Sequence, residues 1–180
     1  MVSTTSTARG KGARPVYKLY ISPEIEVIGD VFSIVVDVLG SDSAYTIKVG
    51  SDVYGMQRPD KMIAYFSSLS VLLKTAEQLA HELNGFPVHG VPFTAQLDNY
   101  GLLSWGVDPP RLERTPGLEN AESWRVWVVN RLASAILIAR GKATEGLGLP
   151  PWRFAIERLR LEEVDVDNWT PLTSIWQRDA

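Results

Sequence analysis

The chain has 180 residues, no cysteine and a formal net charge of −3. This length fits one domain with its own core, and the lack of cysteine excludes disulfides and thiolate metal sites. No apolar run approaches the roughly 20 residues that cross a bilayer, and the first fifteen residues lack the apolar centre of a secretory signal. We therefore expect a cytoplasmic or virion protein that is not secreted by a signal peptide and has no membrane partner.

Both ends of the chain have the composition of arms. Residues 1–15 contain three bases and no acid, whereas residues 164–180 are acidic and place two tryptophans among polar neighbours. We divide the chain into a flexible basic arm (1–15), a globular domain (16–163) and an acidic C-terminal arm (164–180). Aromatic anchors in pockets dominate the energetics of protein interfaces, and a basic arm can supply further contacts. The residues expected to bind partners are therefore Arg9, Lys11, Arg14, Trp169 and Trp176.

The strand predictions rest on β-branched and aromatic runs bounded by turn residues. A Gly-Ser-Asp-Ser turn is expected to join a central strand over 30–39 to a returning strand over 44–49 as a hairpin. The prolines in 86–97 indicate an edge strand or an irregular crossing that pairs with 102–107. The predicted strands are 16–21, 24–28, 30–39, 44–49, 86–97 and 102–107, with loops at 50–58 and 108–117.

The sequence patterns of three segments predict helices. The stretch 60–84 has apolar residues at alternating spacings of three and four, and we interpret it as one long helix that forms the spine of the core. Residues 119–140 predict a second, mostly buried helix, although 124–129 are as β-prone as any stretch. Pro151 is suited to the first turn of a third helix over 152–163. The fold class is thus α+β: one domain, a mainly antiparallel sheet packed by these helices on one face, and extended arms.

Catalytic motifs are scarce. The chain has two histidines, no histidine pair at a metal-ligand spacing, no nucleophile elbow and no glycine-rich phosphate loop, so no cofactor is predicted. Aspartates on strands hold Mg²⁺ in many phosphoryl-transfer enzymes. An alternative function is therefore a small Mg²⁺-dependent nucleotide-processing enzyme. Its candidate residues are Asp30, Asp37, Asp52 and His89.

The leading hypothesis is a non-catalytic structural or assembly subunit. It would self-associate as a homo-oligomer, or dock on partner proteins, through its terminal arms. Components of virus or phage particles are one class of such proteins. Nucleic acid is not an expected partner, because three bases in the N-terminal arm neutralise too few phosphates.

Overall fold

The computed structural model describes residues 16–40, 46–109, 114–117, 122–142 and 149–172. Its centre is an antiparallel five-stranded sheet with the strand order β2-β3-β1-β5-β4. The strands are β1 Tyr17–Ile21, β2 Thr46–Val49, β3 Met62–Phe66, β4 Ala95–Gln96 and β5 Leu103–Val107. The helices are α1 Ile28–Leu39, α2 Val53–Gln57, α3 Leu69–Glu82, α4 Trp124–Lys142 and α5 Pro151–Leu161. A short ribbon then pairs β6 Val164–Asp165 with β7 Thr170–Pro171.

Helices α1 and α3 cover one face of the sheet. Leu19 and Ile21 alternate along β1 toward this face and are completely buried, as the period of two in a strand requires. They pack in one apolar core with Val35 of α1 and with Leu72 and Leu79 of α3. The strands and helices are therefore held together mainly by burial of apolar surface.

The start of α4 lies against the opposite face. A β-carbon added at Gly106 of β5 would lie 3.2 Å from Cδ1 of Trp124 and 3.5 Å from Cε2 of Tyr20. Glycine at this position therefore lets the indole of Trp124 lie close to the sheet. Trp124 and Trp127 stack at 5.4 Å between ring centroids, and they form a second core with Leu159 of α5.

Helices α4 and α5 form an antiparallel hairpin. Arg131, in the middle of α4, pairs with Glu162 just after the end of α5, with 2.8 Å between Nε and Oε2. The first half of α4 thus lies beside the last half of α5. Proline in the first turn of α5 costs no hydrogen bond, because the first N–H groups of a helix have no intrahelical acceptor.

The α+β class and the mainly antiparallel sheet are confirmed. So are the strand over 16–21, the pairing of 102–107 with the end of 86–97, and the helices predicted over 119–140 and 152–163. The stretch 124–129, which was open to either interpretation, is helical. The expectation that helices cover one face only is wrong, because α4 reaches the second face.

The predicted central strand over 30–39 is wrong, and so is its hairpin with 44–49. The segment forms α1, in which Val31, Val35 and Leu39 recur every four residues and are buried. Strand β2 pairs with β3 instead, and Thr46 lies opposite Tyr65. The predicted strand over 24–28 is also wrong, because residues 25–27 form a single 3₁₀ turn that leads into α1.

The long helix predicted over 60–84 is wrong in its first third. Met62–Phe66 form β3, which lies beside β1 inside the sheet, and the helix begins only at Leu69. The loop predicted over 50–58 contains the short helix α2. Asp52 caps that helix by accepting a hydrogen bond from the Gly55 backbone N–H at 2.7 Å.

Residues 164–172 were expected to belong to an extended arm. They form the β6–β7 ribbon instead, and Val164 and Val166 are buried in the second core. The residues 1–15 and 173–180, which make up the rest of the two predicted arms, lie outside the described part of the chain. So do residues 110–113 of the predicted loop over 108–117.

Candidate functional site

The aspartates of the enzyme hypothesis do not lie on strands. Asp30 and Asp37 are exposed on α1, where seven residues correspond to two turns and about 10.5 Å of rise. Asp52 caps α2 with its carboxylate. Ligands of one Mg²⁺ must all lie about 2.1 Å from it, so carboxylates two turns apart on a helix do not share an ion. Within the described ranges, no three histidine or carboxylate side chains are grouped so as to hold a metal.

His89 contacts a buried lysine. Nζ of Lys61 lies 2.8 Å from Nδ1 of His89, and it donates a hydrogen bond to the Pro23 carbonyl at 2.7 Å. Burial lowers the pKa of Lys61, while Glu24 and Glu26 act in the opposite direction. The lysine is almost inaccessible to solvent, and its hydrogen bonds join three separate segments. Its contacts are those of a structural link at the end of the sheet.

The tryptophan expected to bind a partner is part of the fold. Trp169 has a left-handed φ of 54° and packs edge-on against Phe93, with ring centroids 4.9 Å apart. It remains half-buried, so a contact of its outer edge with a partner stays a prediction. The other predicted partner-binding residues lie outside the described residues: Arg9, Lys11, Arg14 and Trp176.

A junction of paired charges joins the sheet to α4. Nζ of Lys18 lies 2.6 Å from the Asp108 carboxylate, which also accepts the Trp124 backbone N–H at 3.2 Å. Next to it, Asp60 pairs with Arg125 at 3.3 Å and with Arg58 at 2.9 Å. Every one of these charges has a partner of opposite sign, so the junction fixes the position of α4 and offers no free catalytic group.

The junction shifts the pKa values of its own members. For Asp60, burial raises the pKa, but the hydrogen bonds and charges of Arg58 and Arg125 outweigh burial and lower it overall. For Tyr20, which lies beneath the junction, burial and the nearby Asp108 raise the pKa. The carboxylate therefore stays ionised and the phenol stays neutral at physiological pH.

Glu122 makes a similar link immediately before α4. Its carboxylate accepts hydrogen bonds from the Thr115 backbone N–H at 2.6 Å, the Thr115 hydroxyl at 2.8 Å and the Asn130 amide at 2.9 Å. Burial raises the pKa of Glu122, but these hydrogen bonds outweigh burial and hold the pKa below its usual range.

This depressed pKa predicts an acid-sensitive contribution to stability. A carboxylate with a lower pKa in the folded state stabilises the fold above its unfolded pKa of about 4.3, and this stabilisation is lost as pH falls through the folded pKa. We expect Glu122→Gln to flatten the decline of the urea midpoint from about pH 5 to about pH 3. Circular dichroism at each pH measures it, and a decline as steep as in the wild type would contradict the assignment.

A groove of about 510 Å³ lies between the end of α3 and the turn before β5. Leu83, Phe86 and Leu102 contribute apolar surface to it. The Asp98 carboxylate at its rim accepts backbone N–H groups of Gly101 at 2.8 Å and of Leu102 at 3.1 Å. These hydrogen bonds hold the turn, so Asp98 has a structural role in the groove.

The α4–α5 hairpin has a strong positive charge. Its two helices contain seven bases and one acid, a net charge of +6 in a chain whose total is −3. Arg125 and Arg131 are engaged by Asp60 and Glu162. Arg140 and Arg153, at the end where α4 leads to α5, are exposed and form no ion pair with another described residue. Free positive charge is thus concentrated at one end of the hairpin.

The hairpin also leaves an apolar stripe uncovered. Val126, Val129 and Leu137 follow each other along the outer side of α4 at helical spacing, and Leu137 is 68% exposed. Ile138, on another side of α4, is 45% exposed, and Trp152 at the start of α5 is 64% exposed. The prediction that most of α4 is buried is therefore wrong for this side. We refer to these exposed residues as the hairpin surface: Val126, Val129, Leu137, Ile138, Arg140, Trp152 and Arg153.

The positive charge of the hairpin could be predicted from the sequence, because both helices were predicted and their basic residues can be counted. Its exposure could not be predicted from the sequence, because apolar residues occur all around α4 and its polar side is narrow, and such a helix is usually buried. Among the described residues, no helix is both long enough and apolar enough to cross a membrane.

Comparisons with known proteins give a fold and no family. No protein-family model matches the chain, and no curated protein matches it. One similar solved structure is that of the effector protein from Pseudomonas syringae pv. tomato strain DC3000, with a TM-score of 0.52 and 19% sequence identity. The similarity covers 87% of this chain and 56% of that one, so this chain spans little more than half of the neighbour's length. At this identity the likeness is one of fold alone.

Proposed function

We propose that the protein is a non-catalytic structural or assembly subunit that binds a partner protein through the hairpin surface. The observation that carries the proposal is an exposed apolar stripe on α4, together with Arg140 and Arg153, which form no ion pair with another described residue. Apolar patches with a charged rim are typical of protein interfaces, in which aromatic and arginine side chains contribute most of the binding energy. Trp152 and Arg153 are adjacent residues of these two kinds.

The terminal arms remain part of this proposal. The charges of Arg9, Lys11 and Arg14 and the indole of Trp176 would add further contacts with the partner. Assembly into a virus or phage particle stays a prediction about the class of partner. The proposal includes both self-association and docking on another protein.

Site-specific photocrosslinking tests the proposal. A benzophenone amino acid at Leu137 should form a discrete protein adduct in cells that produce the chain, because the side chain would lie within the interface. The matched control carries the same group at Asn99, an exposed residue of the β4–β5 turn. If adducts at Leu137 do not exceed those at Asn99, the hairpin surface is not an interface.

A further inference from the structure

The exposed side of α1 has the opposite charge to the hairpin. Residues 24–39 contain four acids and no base. Asp30 and Asp37 are exposed, and neither has an ion pair or a side-chain hydrogen bond with another described residue. Phe32 and Val36 lie on a flank of the same helix, about 100° or more around its axis from the two aspartates, and are each 39% exposed. We refer to these four residues as the α1 surface; it is apolar and acidic where the hairpin surface is apolar and basic.

The two surfaces cannot neutralise each other within one molecule. Helix α1 packs on the face of the sheet that carries Leu19 and Ile21, whereas α4 approaches the face that carries Tyr20 and Gly106. The sheet therefore separates them. Electrostatic attraction at physiological ionic strength falls off over about 8 Å, so the described charges of one surface do not neutralise those of the other.

We propose that the protein self-associates head to tail, with the hairpin surface of one copy bound to the α1 surface of the next. This inference rests on the proposed function, because it names the partner of the hairpin surface. Burial of the apolar residues supplies the attraction, and complementary charge sets the orientation and excludes wrong partners. A two-fold contact between two hairpins is disfavoured, because it brings together two elements of charge +6 each.

Head-to-tail contacts join two different surfaces and leave one of each free at the ends. Such a contact generates a ring where the rotation closes and an open chain where it does not. The average mass of the full-length protein measured by light scattering should therefore exceed the monomer mass of 20.0 kDa. For an open chain this mass should increase with protein concentration, and for a closed ring it should be a fixed multiple of the monomer mass. Because the rim is ionic, 0.5 M NaCl should reduce the average mass.

Charge reversal in mixed variants gives the decisive test. Arg140→Glu/Arg153→Glu reverses the hairpin surface, and Asp30→Lys/Asp37→Lys reverses the α1 surface. Each variant alone should be monomeric, because like charges then face each other. An equimolar mixture should associate again, because the intact hairpin surface of one variant meets the intact α1 surface of the other and the two reversed surfaces also carry opposite charges.

Both variants should fold. All four side chains are exposed, and in each pair one change is favourable and the other unfavourable for the helix dipole. Circular dichroism checks this, and the variant that carries all four reversals should associate again as the wild type does. A wild-type monomer at every concentration, or a mixture that stays monomeric, would overturn the head-to-tail contact. If crosslinking at Leu137 then captures a different protein, the proposed function stands and only the second copy is excluded.

Discussion

Trp124→Ala is expected to destabilise the protein by about 3–5 kcal/mol, the range for removal of a large aromatic side chain from a core. Trp124 is completely buried, stacks on Trp127 and donates its indole N–H to the Phe93 carbonyl at 2.9 Å. The substitution creates a cavity between the sheet and α4 and leaves that carbonyl without its partner. Domains of this size have total stabilities of about 5–15 kcal/mol, so the loss is a large fraction of the whole.

Urea denaturation followed by circular dichroism measures the effect without relying on the fluorescence of the six tryptophans. Trp152→Ala is the matched control, because it removes the same atoms from an exposed position and should change stability by no more than about 0.5 kcal/mol. The same control variant should weaken binding at the hairpin surface. Similar losses of stability in the two variants would mean that Trp124 does not anchor α4.

The sequence was most informative where local preference and tertiary context agree. The run over 16–21 is β-prone, and it forms the middle strand of the sheet. Helix α5 has proline in its first turn and Arg158 four residues before Glu162, and both features are local. Such elements need no knowledge of the rest of the chain, and they were predicted within a few residues of their true ends.

The two main errors in the predicted fold concern segments whose apolar residues fit both the period of a strand and that of a helix. Residues 30–39 are rich in β-branched side chains, yet the buried positions Val31, Val35 and Leu39 repeat every four residues. Packing against α3 and the sheet selects that period over the strand preference of valine. For Met62–Phe66 the error is the opposite one, because a strand was predicted as part of a helix. A run of five apolar residues suits a strand covered on both faces, and its spacing from Leu69 imitates a continuing helical stripe.

The candidate interface was not predicted from the sequence, because the unusual charge and tryptophan content of the termini pointed to the arms instead. The domain is acidic overall, so its total charge gives no sign of the positive charge of α4 and α5. Only when each charged residue is assigned to its helix do the net charge of +6 on the hairpin and of −4 on residues 24–39 become evident. The side on which each charge lies depends on how α1 and α4 are placed about the sheet. Asp30 and Asp37 illustrate this: as residues of a strand they suggested a metal site, whereas on the exposed side of a helix they belong to the surface that we propose as a docking site.

The second large effect is expected at the junction that fixes α4. Asp108→Asn should destabilise the protein by about 3–5 kcal/mol, the cost of leaving a buried charge without its counter-ion. Lys18 is only 9% exposed, and its ammonium group has the Asp108 carboxylate as its closest anionic partner, at 2.6 Å. Asparagine keeps an oxygen for the Trp124 backbone N–H but removes the negative charge. The loss therefore reports the ion pair rather than the helix contact.

A double-variant cycle separates the pair from its surroundings. Lys18→Met removes the cation while keeping the apolar stem in place, so the Lys18→Met/Asp108→Asn protein contains no unpaired buried charge. We expect the two substitutions to be non-additive, with a coupling energy of about 0.5–3 kcal/mol in urea denaturation. Additive losses would show that the two groups act independently, and the position of α4 would then depend on Trp124 and its apolar neighbours rather than on this ion pair.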